Sequence, residues 1–169
     1  MIIRESGMDF GPFADDQCYH LEASREYRTL GEGVRIAEFM VLRDGGPSPA
    51  SVWIVEAKSS SPRPDNASDF DAFIAEVRDK LTNALSFGLA VRLGRHAGAA
   101  LPAPFGELDL ASCLFTLVLV IRGHEDGWLP PVQEALDRAL RPTVRTWALG
   151  AAAVAVLNDR AAREVGLVV

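Results

Sequence analysis

Glu56 and Lys58 stand two residues apart in the run 51–60, SVWIVEAKSS, and Glu38 stands in VRIAEFMVL at 34–42. In an extended strand, residues two apart share a face. The carboxylate and the ammonium therefore point the same way at the end of an apolar segment. A second carboxylate, Glu38, on a paired neighbouring strand can share a hard cation with Glu56, which offsets their repulsion. Magnesium is held this way, through one or two carboxylates with water and substrate oxygens completing its shell. Such an ion holds a phosphoryl oxygen and lowers the pKa of an attacking water. An ammonium beside it stabilises the negative charge that develops. The plainer alternative is an ion pair at a sheet margin. Lysine usage favours the chemical reading: of 17 basic residues 15 are Arg, and Lys58 and Lys80 are the two lysines. A compact ammonium and a planar guanidinium are not interchangeable at a phosphate.

The elements that must position these groups follow from periodicity. Residues 17–30 alternate briefly (Tyr19, Leu21 and Ala23 against His20, Glu22 and Ser24), which predicts a half-exposed strand. In 34–42 both parities are mostly apolar, the mark of a strand covered on both faces. RDGGPSP at 43–49 is dense in turn residues and leads into the strand that carries Glu56. Beyond an irregular SSSPRPDNA, Ser68 suits an N-cap. Phe70, Phe73, Ile74, Val77, Leu81, Ala84 and Leu85 then follow at helical spacing, with Gly88 as the expected stop. Residues 94–111 predict an extended Gly-, Ala- and Pro-rich loop, and SCLFTLVLVIRG a buried strand. Pro130 and Pro131 open a helix with Val132, Leu136, Ala139 and Leu140 as its apolar stripe. AAAVAVLN predicts a further strand and DRAAREVG a short last helix. The expected fold is a single α/β domain, 1–169, whose mixed central sheet opens with antiparallel strands and is flanked by helices.

Glu38, then Glu56-Ala57-Lys58 on the next strand, then a helix, resembles the PD-(D/E)XK, or restriction-endonuclease-like, nuclease superfamily. The resemblance covers a core of about 17–123, with the last helix–strand–helix as an addition. It implies magnesium or manganese bound by Glu38, Glu56 and the carbonyl of Ala57, and Lys58 beside the attacking water. Nucleic acid would be the substrate. Four features depart from the family pattern: the first acid is Glu rather than Asp, no Pro precedes it, no Gln-x-x-x-Tyr pattern follows on the helix, and no second basic element for DNA is evident. The alternative is a non-catalytic domain on the same scaffold, with Glu56 and Lys58 paired internally and a protein as partner.

Secondary candidates weigh less. Glu22 would be a third carboxylate if its strand neighbours that of Glu38, and is otherwise part of a solvated strand face. Ser59 and Ser60 could position a phosphate, or be plain loop residues. Lys80 could reach the substrate, or snorkel from the helix. Arg92, Arg95 and His96 form a small basic cluster whose default is a solvated loop. The three histidines and two cysteines lie at no metal-ligand spacing, and no Gly-x-Ser-x-Gly or Walker pattern occurs. A net charge of −6 argues against indiscriminate nucleic-acid binding, though a local basic cleft is compatible with it. The apolar runs fall short of a bilayer span, and the first residues lack a signal-peptide core. A cytoplasmic protein is expected.

Overall fold

The computed structural model describes residues 1–31, 33–43, 50–99 and 101–169. Its centre is a five-stranded mixed sheet in the order β3 (Cys18–His20), β4 (Phe39–Arg43), β5 (Ser51–Lys58), β6 (Leu114–Ile121) and β7 (Val154–Asn158), so that sheet order follows chain order. The pairs β3–β4 and β4–β5 are antiparallel, whereas β5–β6 and β6–β7 are parallel. Parallel neighbours need a crossover. Helix α2 (Ala67–Arg92) makes the first and α4 (Leu129–Thr146) the second, after a 3₁₀ turn at Asp126–Trp128.

Both helices cover one face of the sheet. Val52, Ile54, Leu117, Leu119 and Ile121 point into the core they share with Val77, Leu81, Val132, Leu136 and Leu140. The opposite parity, Val55, Ala57, Val118 and Val120, packs against an N-terminal hairpin, β1 (Ile3–Glu5) and β2 (Met8–Phe10), and against α5 (Asp159–Glu164). Burial on both faces is why β5 and β6 read as nearly continuous apolar runs. No helix among the described residues is long and apolar enough to cross a membrane.

The structure departs from the sequence reading in several places, each with a local cause. The strand expected in 17–30 is confined to Cys18–His20. Ser24 then caps a short helix, α1 (Arg25–Arg28), its hydroxyl accepting from the Tyr27 amide at 3.2 Å. The strand expected over 34–42 begins only at Phe39, with Glu38 at a bend just ahead of it. The turn-rich connection 44–49 lies outside the described residues. Asn66 rather than Ser68 stands at the start of α2.

Gly88 does not stop α2, which runs on to Arg92. A Cβ at this position would lie 2.6 Å from Met40 Sδ. The glycine lets the helix approach β4 closely. The loop 94–111 contains a short helix, α3 (Ala103–Glu107). The β1–β2 hairpin was not expected at all. Its two turn residues, Ser6 and Gly7, have φ of 51° and 75°, the backbone of a tight hairpin turn with positive φ at both central positions.

Candidate active site

The edge of the sheet where β5 and β6 end gathers most of the chain's unusual charges. Glu38 enters β4 pinned by its main chain: its amide donates to the Val55 carbonyl at 3.0 Å, and its carbonyl accepts from the Glu22 amide at 3.3 Å. Glu56 lies on β5 with its side chain turned to α2, and it is completely buried. Glu38 is 5 % exposed. The two carboxylates that the spacing paired do converge, and they converge on a lysine. Lys80 of α2 places Nζ 2.9 Å from Glu56 Oε1, 3.2 Å from its Oε2 and 3.5 Å from Glu38 Oε1.

Lys58 lies beside this pair. Its Nζ is 3.3 Å from Glu56 Oε1 and 2.6 Å from Glu76 Oε1 on α2. Its side chain retains 21 % exposure, so it and Glu76 are the members of the group with the most access to solvent. Glu76 and Lys80 are one helical turn apart and face β5 together, as residues four apart on a helix do. That spacing beside the Val77–Leu81 stripe was visible in the sequence. Glu76 was nevertheless not singled out, and Lys80 turns inward instead of snorkelling to the surface.

A second cluster shares Glu38. Ligand atoms of Glu5, Glu22 and Glu38 all lie within 4.8 Å of one another. Glu22 is exposed and Glu5 half-buried, so the cluster opens to solvent on one side and ends in the protein on the other. Glu38 Oε2 is buried and has no hydrogen-bond partner. An unsatisfied buried carboxylate oxygen is costly. Burial pushes the Glu38 carboxyl up to about 9, and the neighbouring carboxylates of Glu22 and Glu56 act in the same direction, with Lys80 opposing them. Burial likewise raises the Glu56 carboxyl against the pull of both lysines. Burial works against the charge on Lys80, but Glu56, Glu38 and Glu22 together carry it above its ordinary value. The hydrogen bond from Lys58 holds Glu76 below the usual carboxylate range.

The metal set implied by the family resemblance is thus divided. Glu38 belongs to both clusters. Glu56 spends both oxygens on Lys80. The carbonyl of Ala57 accepts from the Ser6 hydroxyl at 3.0 Å, which anchors the hairpin turn to the end of β5. Glu22, a secondary candidate, joins Glu38, as does Glu5, which no spacing argument pointed to because it arrives on the N-terminal hairpin. Ser59 and Ser60 are exposed where the chain leaves β5.

The residues present suit a hard divalent cation at one place. Three carboxylates with an orphaned buried oxygen among them are the donor chemistry that magnesium or manganese takes.

Comparison with known families, curated proteins and solved structures gives no match. The geometry must carry the reading by itself.

Proposed function

We propose that this chain hydrolyses phosphodiester bonds in nucleic acid with the aid of a divalent cation, on a restriction-endonuclease-like core. The observation that carries the reading is the buried, unpartnered Oε2 of Glu38 inside a three-carboxylate cluster, with a lysine on the adjoining strand that keeps 21 % of its side chain exposed. The element order supports it: Glu38 at the start of β4, Glu56-Ala57-Lys58 on the neighbouring β5 and then helix α2 follow the strand, strand and helix that the sequence resemblance implies.

Glu5, Glu22 and Glu38 would hold the cation. When bound, it supplies charge for a phosphoryl oxygen and acidity for a water. Lys58, released from Glu76, stabilises the negative charge on the phosphoryl group as water oxygen bonds to phosphorus and the bond to the leaving oxygen breaks. Glu56 and Lys80 set the position of Lys58 and Glu38 and touch no reacting atom.

The test is thermal unfolding with and without millimolar manganese. A cation that binds only the folded form stabilises by about 2.7 kcal/mol at a hundredfold excess over its dissociation constant. Glu22→Gln and Glu5→Gln should each remove most of that shift. Cleavage of labelled DNA or RNA should require manganese or magnesium and vanish in Lys58→Met. A melting temperature indifferent to manganese would end the proposal.

One observation favours a second reading. Lys80 lies between Glu38 and Glu56 and already neutralises them. On that reading the charges are an internal ion-pair network and the scaffold binds a protein. Its signature is no manganese shift together with a Glu38→Gln variant that is less stable than the parent.

A further inference from the structure

Next to the charged edge is a groove of about 670 Å³, within the size range of small-ligand sites, roughly 300–1,000 Å³. One wall is Ser59–Asp65, the segment that follows Lys58. The other is the segment after β6, with Arg122, His124 and Trp128, and the floor is Pro131 and Val132 of α4. The site lies outside the carboxyl ends of parallel strands β5 and β6, where α/β sheets bind their ligands. The Arg122 amide donates to the Lys58 carbonyl at 2.9 Å, so groove and charged cluster are joined through the backbone.

The groove wall is held in place from below. Asn158, 3 % exposed at the end of β7, donates from Nδ2 to the His124 carbonyl at 2.9 Å and to Asp126 Oδ1 at 2.7 Å. Its Oδ1 accepts from the Ala161 amide at 2.8 Å. Asp159 Oδ1 accepts from the Gly123 amide at 2.8 Å. The two bonds that Asn158 donates and the one that Asp159 accepts are all directed at residues 123–126, and they preset the shape of that loop before any ligand arrives.

The lining has the chemistry of a nucleotide. Arg63 and Arg122 are exposed, and among the described residues neither has a carboxylate within ion-pair distance, unlike Arg138, Arg160 and Arg163, which are paired. The Arg122 guanidinium lies over Gly7, where a Cβ would stand 2.3 Å from its Nη1. Only a glycine leaves it that position. Ser61 has a buried hydroxyl with no hydrogen-bond partner. The start of α4 adds little for an anion, because Pro130 and Pro131 remove two of its free amides. The arginines and serines supply that recognition instead, with Asp65 as an opposing charge at the rim. Trp128, 48 % exposed, is braced edge-on by His124 at 5.6 Å between ring centroids, which leaves an indole face for a planar ring.

We infer that this groove binds an unpaired nucleotide of a single-stranded nucleic acid, its base stacked on Trp128 and its phosphate held by Arg63 and Arg122. The inference rests on the proposed hydrolase reading only for what happens to the strand afterwards; binding itself needs no cation. Single-strand binding combines a basic track with aromatic stacking platforms. A small basic groove on a chain of net charge −6 suits one splayed nucleotide better than the long phosphate track of a duplex.

The experiment is fluorescence anisotropy in EDTA at low salt. The probes are a fluorescein-labelled single strand of about eight nucleotides, within known single-strand site sizes, and the same strand annealed to its complement. The single strand should bind at least about 10-fold more tightly than the duplex, and Trp128→Ala should weaken it by about 10-fold or more, with Trp128→Phe restoring most of the loss. Arg63→Gln and Arg122→Gln should each weaken binding and lessen its salt dependence. Circular dichroism of each variant checks the fold, and the exposure of all three side chains leaves it intact. Equal binding of the two probes, or binding indifferent to Trp128→Ala, would overturn the inference. Single-strand binding without cleavage in manganese would keep the groove and remove the hydrolase. Cleavage with no contribution from Trp128 would do the reverse.

Discussion

Glu38→Gln should make the cation-free protein more stable at neutral and alkaline pH, although it removes a residue from the centre of the candidate site. The carboxyl of Glu38 is raised from an ordinary 4.5 to about 9 by burial and by the neighbouring carboxylates of Glu22 and Glu56. Between those two values the folded chain holds a proton that the unfolded chain has released. The unfolded state then binds fewer protons than the native one, so stability must fall as pH rises. The stabilisation is complete below pH 4.5 and is lost as pH passes about 9. One proton corresponds to about 1.4 kcal/mol per pH unit.

The groups whose shifts run the other way titrate outside that window. Asp109 and Asp159 are held low by local hydrogen bonds, and Glu76 by Lys58. The thiol of Cys18 and the phenol of Tyr19 are pushed up to about 12, chiefly by burial. Lys80 titrates above its ordinary value. From pH 5.5 to 8.5 the slope belongs chiefly to Glu38, with Glu56 adding in the same sense.

Glutamine keeps the shape of the side chain, and its amide can donate to Glu22 in place of the proton. Urea unfolding at four pH values in EDTA should show the parent losing stability with rising pH. The variant's slope should be shallower by about 1.4 kcal/mol per unit. The variant's lead should widen as pH rises from about 4.5 towards 9 and reach several kcal/mol by pH 8. A variant destabilised at pH 8, with the parent's slope unchanged, would refute this. Glu38 would then be an ionised partner of Lys80, and its loss would strand the ammonium.

Two further perturbations divide the network by its partners. Lys80→Met leaves Glu38 without an ammonium and Glu56 with Lys58 alone at 3.3 Å, and should cost about 3–5 kcal/mol in urea unfolding at pH 7. Lys58→Met leaves Glu56 on Lys80 at 2.9 Å and should cost only about 1 kcal/mol, so a larger loss than in Lys80→Met would reverse the assignment of the two lysines. Asn158→Ala removes an N-cap and two bonds that hold the groove loop. It should cost about 2–3 kcal/mol in the same assay and weaken single-strand binding, though Asn158 faces no ligand.

The order of strands and helices was legible because both kinds of period are strong here, and so was the adjacency of the segments carrying Glu38 and Glu56. What escaped is what one chain position cannot say about another. The N-terminal hairpin has strands of three residues, too short for a period, and Glu5 came in with it. Gly88 carried the local signal of a helix end, but the space it leaves is filled by Met40 from another element. Lys80 was placed at the margin of the apolar stripe, where a lysine ordinarily reaches outward. Its inward turn depends on two buried carboxylates that lie 24 and 42 positions earlier in the chain. Glu56 and Lys58, two residues apart on β5, were legible as sharing a face. That Lys80 would take both oxygens of Glu56 was not.

Burying Glu56 completely and Glu38 nearly so is a poor route to stability. Well-packed apolar residues of the same volume are often as stable as a buried ion pair, or more stable. Here the cost is compounded, since Glu38 leaves an oxygen unbonded and sits among carboxylates of like charge. The same sheet contains the alternative: Met40 and Leu42 continue the Glu38 face on β4, and Val52 and Ile54 continue the Glu56 face on β5, all apolar and buried. Among the described residues the buried carboxylates lie at the end of the sheet beside the groove, where Lys58 and Glu22 retain access to solvent. Buried carboxylate charge of this kind, concentrated among the described residues at one accessible edge, is what the proposed site requires. Glu38→Gln is therefore the sharpest single substitution. A site predicts that the charge destabilises the fold, an internal ion pair predicts that it supports it, and the two signs cannot both be observed.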